Sequence, residues 1–160
     1  MTLDATWFSD VYAGAPSAFS LKITRKLHEE QSPFQKVEVY ETQGWGRMLA
    51  IDGIIMLTER ENFLYHEMLA HPALYAHPDP KRVLIIGGGD CGTLREVLKH
   101  PGVERVVQCD IDEAVTRAAV LYFPVLTEAN ADPRAELVFE DGVQYVAGCA
   151  DGAWDVLIVD

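Results

Sequence analysis

Four aspartates are the residues of this sequence best suited to chemistry. They are Asp90, Asp110, Asp141 and Asp160. Carboxylates hold cationic groups, accept hydrogen bonds from hydroxyl and amino groups, and accept protons. Each of the four lies at the end of a short apolar run or in a turn directly after one, so in a parallel sheet all four would face one crevice at the carboxyl ends of the strands. The sequence therefore predicts a site for a cationic ligand.

A glycine-rich turn follows the apolar run 83–86, which is too short for a helix and is typical of a strand buried on both faces. Gly87, Gly89 and Gly92 match G-x-G-x-x-G, and residues 93–100 are predicted to form a helix. A strand, a glycine turn and a helix make up the start of a nucleotide-binding βαβ unit. The turn therefore predicts a nucleotide or nucleoside site that includes Gly87 and Gly89.

Asp90, inside this turn, decides which ligand we expect. The backbone N–H groups and the dipole at a helix N-terminus attract anions such as a pyrophosphate. A carboxylate in the same loop repels a pyrophosphate and attracts a cation. A sulfonium nucleoside, S-adenosylmethionine or its decarboxylated form, is both a nucleoside and a cation. The alternative is that Asp90 only caps the helix that follows.

The next two aspartates follow the next two predicted strands. Asp110 lies 18 residues after Gly92, close to the spacing at which an acid accepts hydrogen bonds from ribose hydroxyls. The alternative is a solvated loop residue at the end of a strand. Asp141 and Gly142 come after the strand predicted at 135–139, where the carboxylate could accept from an adenine amino group. Without such a context they form an ordinary turn.

The second half of the chain alternates strands and helices, which predicts an α/β fold with a Rossmann-like parallel sheet. Strands are expected at 83–86, 105–109, 135–139 and 156–159, and helices at 93–100 and 114–122. The first half predicts a small antiparallel β region, with strands at 20–24, 35–41, 47–51 and 54–57. The only linker-like stretch is Pro78-Asp79-Pro80. We therefore expect two domains, residues 1–78 and residues 79–160.

A connecting helix is expected at the end of the first domain. Residues 58–61, Thr-Glu-Arg-Glu, fit a capping box, and the helix is expected to run to about His71 and to end at Pro72. His66 and His71 lie on this helix in an H-E-x-x-x-H pattern, one residue longer than the zinc motif H-E-x-x-H. At this spacing the two imidazoles point roughly 140° apart on a helix. We therefore predict no metal site.

Composition limits the classes of partner. The chain has 160 residues, with 13 Lys and Arg against 25 Asp and Glu, and a net charge of −12. Such a surface repels nucleic acid and anionic membranes, so neither is expected as a partner. The three cysteines lack C-x-x-C spacing, and the first seven residues lack the basic and apolar regions of a secretion signal. These features predict a cytoplasmic protein.

Three segments together resemble the spermidine synthases, also called polyamine aminopropyltransferases. They are residues 58–68 (TERENFLYHEM), 87–100 (GGGDCGTLREVLKH) and 154–160 (WDVLIVD). The resemblance runs along nearly the whole chain. It implies transfer of an aminopropyl group from decarboxylated S-adenosylmethionine to putrescine, giving spermidine and methylthioadenosine, with no cofactor. It also implies a homodimer or homotetramer.

The resemblance implies a role for individual residues. The nucleoside is expected to contact Gln35, Asp110, Asp141 and Gly142. The amine is expected to contact Tyr65, His66, Asp90 and Asp160, and Asp160 is also expected to accept the proton. Trp7 is a further candidate for the wall of the pocket. The chain departs from the family pattern at Cys91, where glycine is usual, at Asp110, where glutamate is usual, and at Met56, where many members have glutamine.

The family pattern continues beyond Asp160 with further strands and helices. We therefore expect the C-terminal part of the sheet to be missing, and residues 1–160 alone to associate and to lack full activity. Two other functions remain open. An S-adenosylmethionine-dependent methyltransferase shares the scaffold and the ribose acid, and a non-catalytic fragment of an aminopropyltransferase would share both as well.

Overall fold

The computed structural model describes residues 3–12 and 14–160, which form two compact units. The first unit ends at Asn62 and the second comprises Phe63–Asp160. This division comes earlier in the chain than the boundary expected between residues 78 and 79. The connecting helix belongs to the second unit because Ala70 and Leu74 are part of its hydrophobic core.

The first unit is a five-stranded antiparallel sheet with its strands in sequence order. Its strands are β1 (Trp7–Tyr12), β2 (Ser17–Gln31), β3 (Lys36–Thr42), β4 (Gly46–Ile51) and β5 (Ile54–Thr58). Buried side chains of β2, β3 and β4 form a small core of Leu21, Tyr40, Met48 and Ala50. The antiparallel region predicted from the sequence is confirmed.

The strand β2 is much longer than the predicted segment 20–24, and β1 was not predicted. The first part of β2 pairs with β1 and its second part pairs with β3. Most of the second part is polar and only partly buried. Backbone pairing therefore stabilises its extended conformation. Its sequence has no regular alternation of apolar residues, the pattern that would have predicted a strand.

The second unit contains a four-stranded parallel sheet in the order β8-β7-β6-β9. Its strands are β6 (Arg82–Ile86), β7 (Arg105–Asp110), β8 (Ala135–Phe139) and β9 (Val156–Val159). Its helices are α1 (Asn62–Ala76), α2 (Gly92–Leu98), α3 (Glu113–Tyr122) and α4 (Gly142–Gly148). The predicted α/β fold with a Rossmann-like parallel sheet is confirmed.

The strand β6 is buried on both faces, as expected. Val83 and Ile85 pack with Leu94 of α2 in one core cluster, whereas Leu84 packs with Val107 in another. Each of these strand residues, Val83, Leu84, Ile85 and Val107, is at most 1% exposed. Because β6 is buried on both faces and pairs with β7 and β9, the turn that follows it lies beside the neighbouring strand ends.

Two predictions about helices are wrong. The segment 58–61 does not open a helix, since Thr58 ends β5, and α1 continues through Pro72 to Ala76. His66, Ala70 and Leu74, spaced by four residues, form the buried face of α1, and this packing outweighs the loss of one backbone hydrogen bond at Pro72. The helix α4 was not predicted. It has no buried residue, so its sequence carries no apolar periodicity.

The carboxyl ends of all four parallel strands lie at one edge of the sheet. There the glycine turn follows β6, Asp110 ends β7, Asp141 comes shortly after β8, and Asp160 directly follows β9. Within the described residues, β9 pairs only with β6. None of the helices in the described part of the chain has the length and apolar character needed to cross a membrane.

Candidate active site

The glycine turn brings the end of β9 close to the end of β6. Gly87 has a φ angle of 85°, in the left-handed region, and its N–H donates to the Cys109 carbonyl at 2.8 Å. A Cβ atom at Gly87 would lie 2.5 Å from the backbone oxygen of Asp160. Only glycine allows this approach, and the approach places Asp160 beside the turn.

Asp90 points from the turn towards α1. Its Oδ1 accepts a 2.7 Å hydrogen bond from the Gly92 N–H and lies 3.2 Å from Nε2 of His66. The His66 side chain is fully buried, and a Cβ atom at Gly92 would overlap its imidazole. Asp90 therefore does more than bind the start of α2: it also joins the turn to α1. The N-cap residue of α2 is Cys91.

Asp160 accepts two hydrogen bonds from neutral hydroxyl groups. The Tyr65 hydroxyl donates to Oδ1 at 2.9 Å, and the Thr93 hydroxyl donates to Oδ2 at 2.5 Å. Burial raises the pKa of Asp160, and the charge of Asp90 raises it further, although both hydrogen bonds act in the opposite direction. Burial and the charge of Asp160 also raise the pKa of Tyr65. Tyr65 is therefore a neutral donor at physiological pH.

Thr93 was not among the residues singled out in the sequence. It lies in the predicted helix and is fully buried, so its position in the sequence suggests a packing role. Its contact with Asp160 depends on the order of the strands, which places β9 beside β6. A polar residue at the second position of a helix after a glycine turn is the only local signal that was available.

Asp110 is a buried carboxylate at the end of β7. It is 9% exposed, and its Oδ1 accepts a 2.8 Å hydrogen bond from the N–H of Asp112. A Cβ atom added at Gly89 would lie 3.0 Å from Oδ2 of Asp110, so this carboxylate borders the glycine turn. Burial raises the pKa of Asp110, and the charge of Asp160 contributes to this shift. The structure therefore brings Asp110 and Asp160 to the same turn.

Asp141 is the N-cap residue of α4. Its Oδ1 accepts from the N–H groups of Val143 and Gln144 at 2.8 and 3.2 Å. Gly142 approaches the end of β6, where an added Cβ atom would lie 2.6 Å from Cγ2 of Ile86. Asp141 thus lies at the expected edge of the sheet, but one of its oxygens is engaged in capping.

Two predicted site residues lie in the first unit. Gln35 lies between β2 and β3, where its backbone N–H donates to the Ser32 hydroxyl at 3.0 Å. Trp7 begins β1 and lines a cavity of about 350 Å³ together with Leu21 and Trp45. The structure thus places Tyr65, His66, Asp90, Asp110, Asp141 and Asp160 in the second unit, and Gln35 and Trp7 in the first.

Cys91 has a left-handed backbone, with a φ angle of 69°. Its side chain is fully buried, and its Sγ accepts from the side-chain amides of Asn130 and Gln108 at 3.3 and 3.6 Å. Burial raises the pKa of this thiol to about 11. The turn therefore accommodates a β-carbon at the position where the family usually has glycine, with a neutral thiol that packs inward.

Taken together, these groups surround the turn with negative charge. Three carboxylates, Asp90, Asp110 and Asp160, lie around it, and besides burial the charge of Asp160 raises the pKa of Asp110 and the charge of Asp90 raises that of Asp160. The hydroxyls of Tyr65 and Thr93 orient the carboxylate of Asp160. Such an arrangement can bind a cationic ligand and accept a proton from it, whereas it disfavours a diphosphate.

Comparison with known protein families gives matches along the chain. Residues 62–160 match the model of the spermine/spermidine synthase domain, and residues 6–59 match that of the spermidine synthase tetramerisation domain. The polyamine aminopropyltransferase of Thioalkalivibrio sulfidiphilus is 61% identical over 160 residues, and that of Alkalilimnicola ehrlichii is 62% identical over 160 residues. Each alignment covers 100% of this chain and 56% of the relative. The chain therefore spans about half the length of these curated relatives.

Solved structures give the same result. A crystal structure of spermidine synthase from Thermotoga maritima superposes with a TM-score of 0.92 at 42% identity, covering 99% of this chain and 55% of the other. A crystal structure of spermidine synthase in complex with the transition-state analogue AdoDATO superposes with a TM-score of 0.93 at 42% identity, covering 99% and 54%. With the match of the synthase domain over most of the chain, these likenesses show that the chain belongs to the spermine/spermidine synthase family.

Proposed function

We propose that the chain is the nucleoside-binding part of an aminopropyltransferase, which transfers an aminopropyl group from decarboxylated S-adenosylmethionine to putrescine. The observation that carries this proposal is the set of three carboxylates around the glycine turn, Asp90, Asp110 and Asp160, with Tyr65 hydrogen-bonded to Asp160. A sulfonium nucleoside and an ammonium are both cationic, so such a site favours both substrates. The names of the relatives and of the solved structures support the same reaction.

In this proposal the nucleoside lies along the carboxyl ends of β6, β7 and β8. Gly87 and Gly89 let the backbone approach the ligand closely, and Asp110 accepts from the ribose hydroxyls. Asp110 is shorter than the glutamate usual in the family, but it is buried and anchored by the Asp112 N–H. Its position therefore depends little on side-chain flexibility.

The adenine base is proposed to lie near α4. Asp141 uses Oδ1 to cap this helix, which leaves Oδ2 for the amino group of adenine, and Gly142 gives the ring room. Gln35, from the first unit, is proposed as a further contact of the nucleoside. This role rests on the family resemblance.

The amine is proposed to lie beside Tyr65, His66 and Asp90. Half of the Tyr65 surface is exposed, so its ring can pack against the alkyl chain of a diamine while its hydroxyl holds Asp160. His66 holds the Asp90 carboxylate, and Asp90 holds the ammonium. The diamine therefore spans the space between Asp90 and Asp160.

The reaction needs a free amine. An alkylammonium has a pKa of about 10, like that of lysine, so at neutral pH nearly all of the amine carries a proton. Asp160 is proposed to accept this proton, and the raised pKa makes it a stronger base than an ordinary carboxylate. The nitrogen then attacks the methylene carbon next to sulfur, the C–S bond breaks, and its electron pair stays on sulfur as methylthioadenosine. Holding the three atoms in line lowers the barrier further.

The remaining parts of the proposal concern assembly and location. The match of residues 6–59 to a tetramerisation domain supports a homo-oligomer, either a homodimer or a homotetramer. Cys91, Cys109 and Cys149 are all free thiols, which supports a reducing, cytoplasmic location. Decarboxylated S-adenosylmethionine acts as a second substrate, and the proposed steps need no separate cofactor.

Isothermal titration calorimetry tests the nucleoside site directly. We expect decarboxylated S-adenosylmethionine and methylthioadenosine to bind, and NAD to give no measurable heat because Asp90 repels its pyrophosphate. The variant Asp110→Ala is expected to weaken nucleoside binding, whereas Asp151→Asn, in an exposed turn, is a control with a similar loss of charge. Tight binding of NAD would contradict the proposal. Tighter binding of S-adenosylmethionine than of its decarboxylated form would favour a methyltransferase instead.

A further inference from the structure

A second group of ionisable residues lies on α1, on α2 and directly after α2. We call it the histidine–glutamate cluster and define it by Glu67, His71, Glu96 and His100. The carboxylates of Glu67 and Glu96 and an imidazole nitrogen of His71 all lie within 4.8 Å of one another. His71 is not part of the Asp90 pair, which uses His66.

The cluster is built from two pairs of residues spaced by four positions. Glu67 and His71 lie one turn apart on the same face of α1. Glu96 lies in α2, and His100 lies two residues after the end of this helix. His66 and His71 point apart on the helix, and the prediction of no metal was based on that pair. Glu67 and His71 instead lie on one face, together with Glu96 of α2.

The distance between the best-placed ligand atoms fits a shared ion. Nε2 of His71 lies 3.4 Å from Oε2 of Glu96, which is too long for a normal hydrogen bond. Two ligand atoms at about 2.05 Å from a tetrahedral zinc ion lie about 3.3 Å apart. Glu96 is fully buried, and its Oε2 faces the imidazole of His71 and the ammonium of Lys99. These two atoms therefore already have the separation of two ligands of one cation.

The fourth residue of the cluster orients the histidine. Nδ1 of His71 lies 2.9 Å from Nε2 of His100. When Nδ1 carries the hydrogen and donates to His100, Nε2 of His71 is left with its lone pair facing Glu96. A metal-binding histidine usually has such a partner on its other nitrogen, which fixes its tautomer and its orientation.

Two basic residues compete for the same carboxylate. Arg95 donates to Oε1 of Glu96 at 2.7 Å, and the ammonium of Lys99 lies 2.6 Å from Oε2. Arg95 binds Oε1 of Glu96, whereas the proposed cation binds Oε2. The Lys99 side chain is 53% exposed, so its ammonium can return to water when a cation takes its place.

We propose that Glu67, His71 and Glu96 form a binding site for one divalent cation of the zinc class, with His100 as the residue that orients His71. One imidazole and two carboxylates suit zinc better than magnesium or calcium, because those ions prefer oxygen ligands only. Water completes the coordination, since Glu67 and His71 are partly exposed. The site lies on the helices and uses none of the residues assigned to the transfer reaction.

Calorimetric titration of the purified chain with zinc chloride tests this proposal. We expect one zinc ion per chain, together with a higher midpoint of thermal unfolding in the presence of zinc. His71→Ala and Glu67→Gln are expected to abolish this binding. His100→Ala is expected to weaken it by about 10-fold to 100-fold, the usual effect of losing a partner of a metal ligand. His77→Ala and Cys149→Ser, which change other potential zinc ligands, are the matched controls and are expected to leave the affinity unchanged.

A second variant separates metal binding from a loss of folding. Lys99→Met removes the competing ammonium, so it is expected to bind zinc more tightly than the original chain, and an unfolded protein cannot produce such a gain. The proposal is wrong if the original chain binds no zinc, if His71→Ala binds as well as the original, or if Lys99→Met binds no more tightly. Magnesium binding as tight as that of zinc would also contradict it, because it would leave no role for the imidazole.

Discussion

The Tyr65 hydroxyl donates a 2.9 Å hydrogen bond to Oδ1 of Asp160, joining α1 to the residue that follows β9 across a sequence separation of 95 residues. This bond stabilises the ionised form of Asp160 and lowers its pKa. It thus opposes the effect of burial. The protonation state of Asp160 is therefore set by a balance that a single change at Tyr65 can disturb.

Tyr65→Phe is expected to keep the aromatic ring and to remove this hydrogen bond. The pKa of Asp160 then rises, so the acid limb of the pH profile of kcat is expected to move to higher pH. Hydrogen bonds to charged groups are worth about 1.5–3 kcal/mol, so on this acid limb, where the rate follows the ionised fraction of Asp160, turnover is expected to fall by about 10-fold to 100-fold. The measurement is a pH series of the rate of methylthioadenosine release by the active protein. An unchanged profile would mean that Tyr65 does not control Asp160.

Asp160→Asn and Asp110→Ala are expected to separate chemistry from binding. The first change removes the proposed proton acceptor and is expected to abolish turnover, while calorimetry shows nucleoside binding nearly unchanged. The second is expected to weaken nucleoside binding first, because it removes the proposed ribose contact. If both variants lost nucleoside binding equally, the two roles would be wrongly assigned.

Gly92→Ala tests the close contact between α2 and His66. The added Cβ atom would overlap the imidazole, so the turn or α1 must move. We expect a loss of about 1–3 kcal/mol of folding free energy, typical of overpacking. Chemical denaturation measures it. Gly102→Ala is the matched control, because no atom lies within 4 Å of a Cβ atom there. Equal stability of the two variants would mean that α1 can move away from the turn without loss.

Asp160 is expected to make stability depend on pH. Burial raises its pKa, so the folded chain binds the proton more tightly than the unfolded chain does. The resulting stability is fully present below the ordinary carboxyl pKa of about 4 and is lost as the pH rises through the raised value.

An asparagine in Asp160→Asn does not ionise, so the variant does not lose stability as the pH rises. At neutral pH it is therefore expected to unfold at a higher temperature than the original chain. The difference should shrink as the pH falls towards the ordinary carboxyl range. Thermal unfolding at several pH values measures this, with Asp151→Asn as the control for a change at an exposed aspartate. A variant that unfolds at a lower temperature at neutral pH would show that the hydrogen bonds to Asp160 outweigh its burial.

The parts of the fold predicted from the sequence are those with strong local patterns. The parallel strands were predicted nearly to the residue because each is a short apolar run that ends in a turn. β1 and most of β2 were missed because backbone pairing stabilises them. The sequence predicts that α1 ends at Pro72. Only the tertiary structure shows that Ala70 and Leu74, on either side of Pro72, are both buried and keep the helix continuous.

The candidate site was predictable to the extent that residue type and position at a strand end decide it. Asp90, Asp110 and Asp160 are such residues, and the structure brings them to one turn. Thr93 and the contact of His66 with Gly92 were not predictable, because they depend on how α1 and α2 pack against the turn. The histidine–glutamate cluster was missed for the same reason, since its residues come from α1, from α2 and from the segment after α2.

The chain spans about half the length of its curated relatives, so aminopropyl transfer is tested most directly with the other half of one relative attached. We therefore suggest a chimera in which residues 1–160 are joined to the remaining C-terminal part of the Thioalkalivibrio sulfidiphilus relative, which is 61% identical over the aligned region. Circular dichroism and nucleoside binding establish that it is folded. Residues 1–160 alone are expected to show little turnover.

The decisive measurement is the amount of methylthioadenosine that this chimera releases from decarboxylated S-adenosylmethionine when putrescine is present. Aminopropyl transfer at this site requires methylthioadenosine and spermidine in equal amounts, no release by the Asp160→Asn chimera, and normal release by the Asp151→Asn chimera. A folded chimera that binds the nucleoside but releases no methylthioadenosine, or an Asp160→Asn chimera with full turnover, would contradict it.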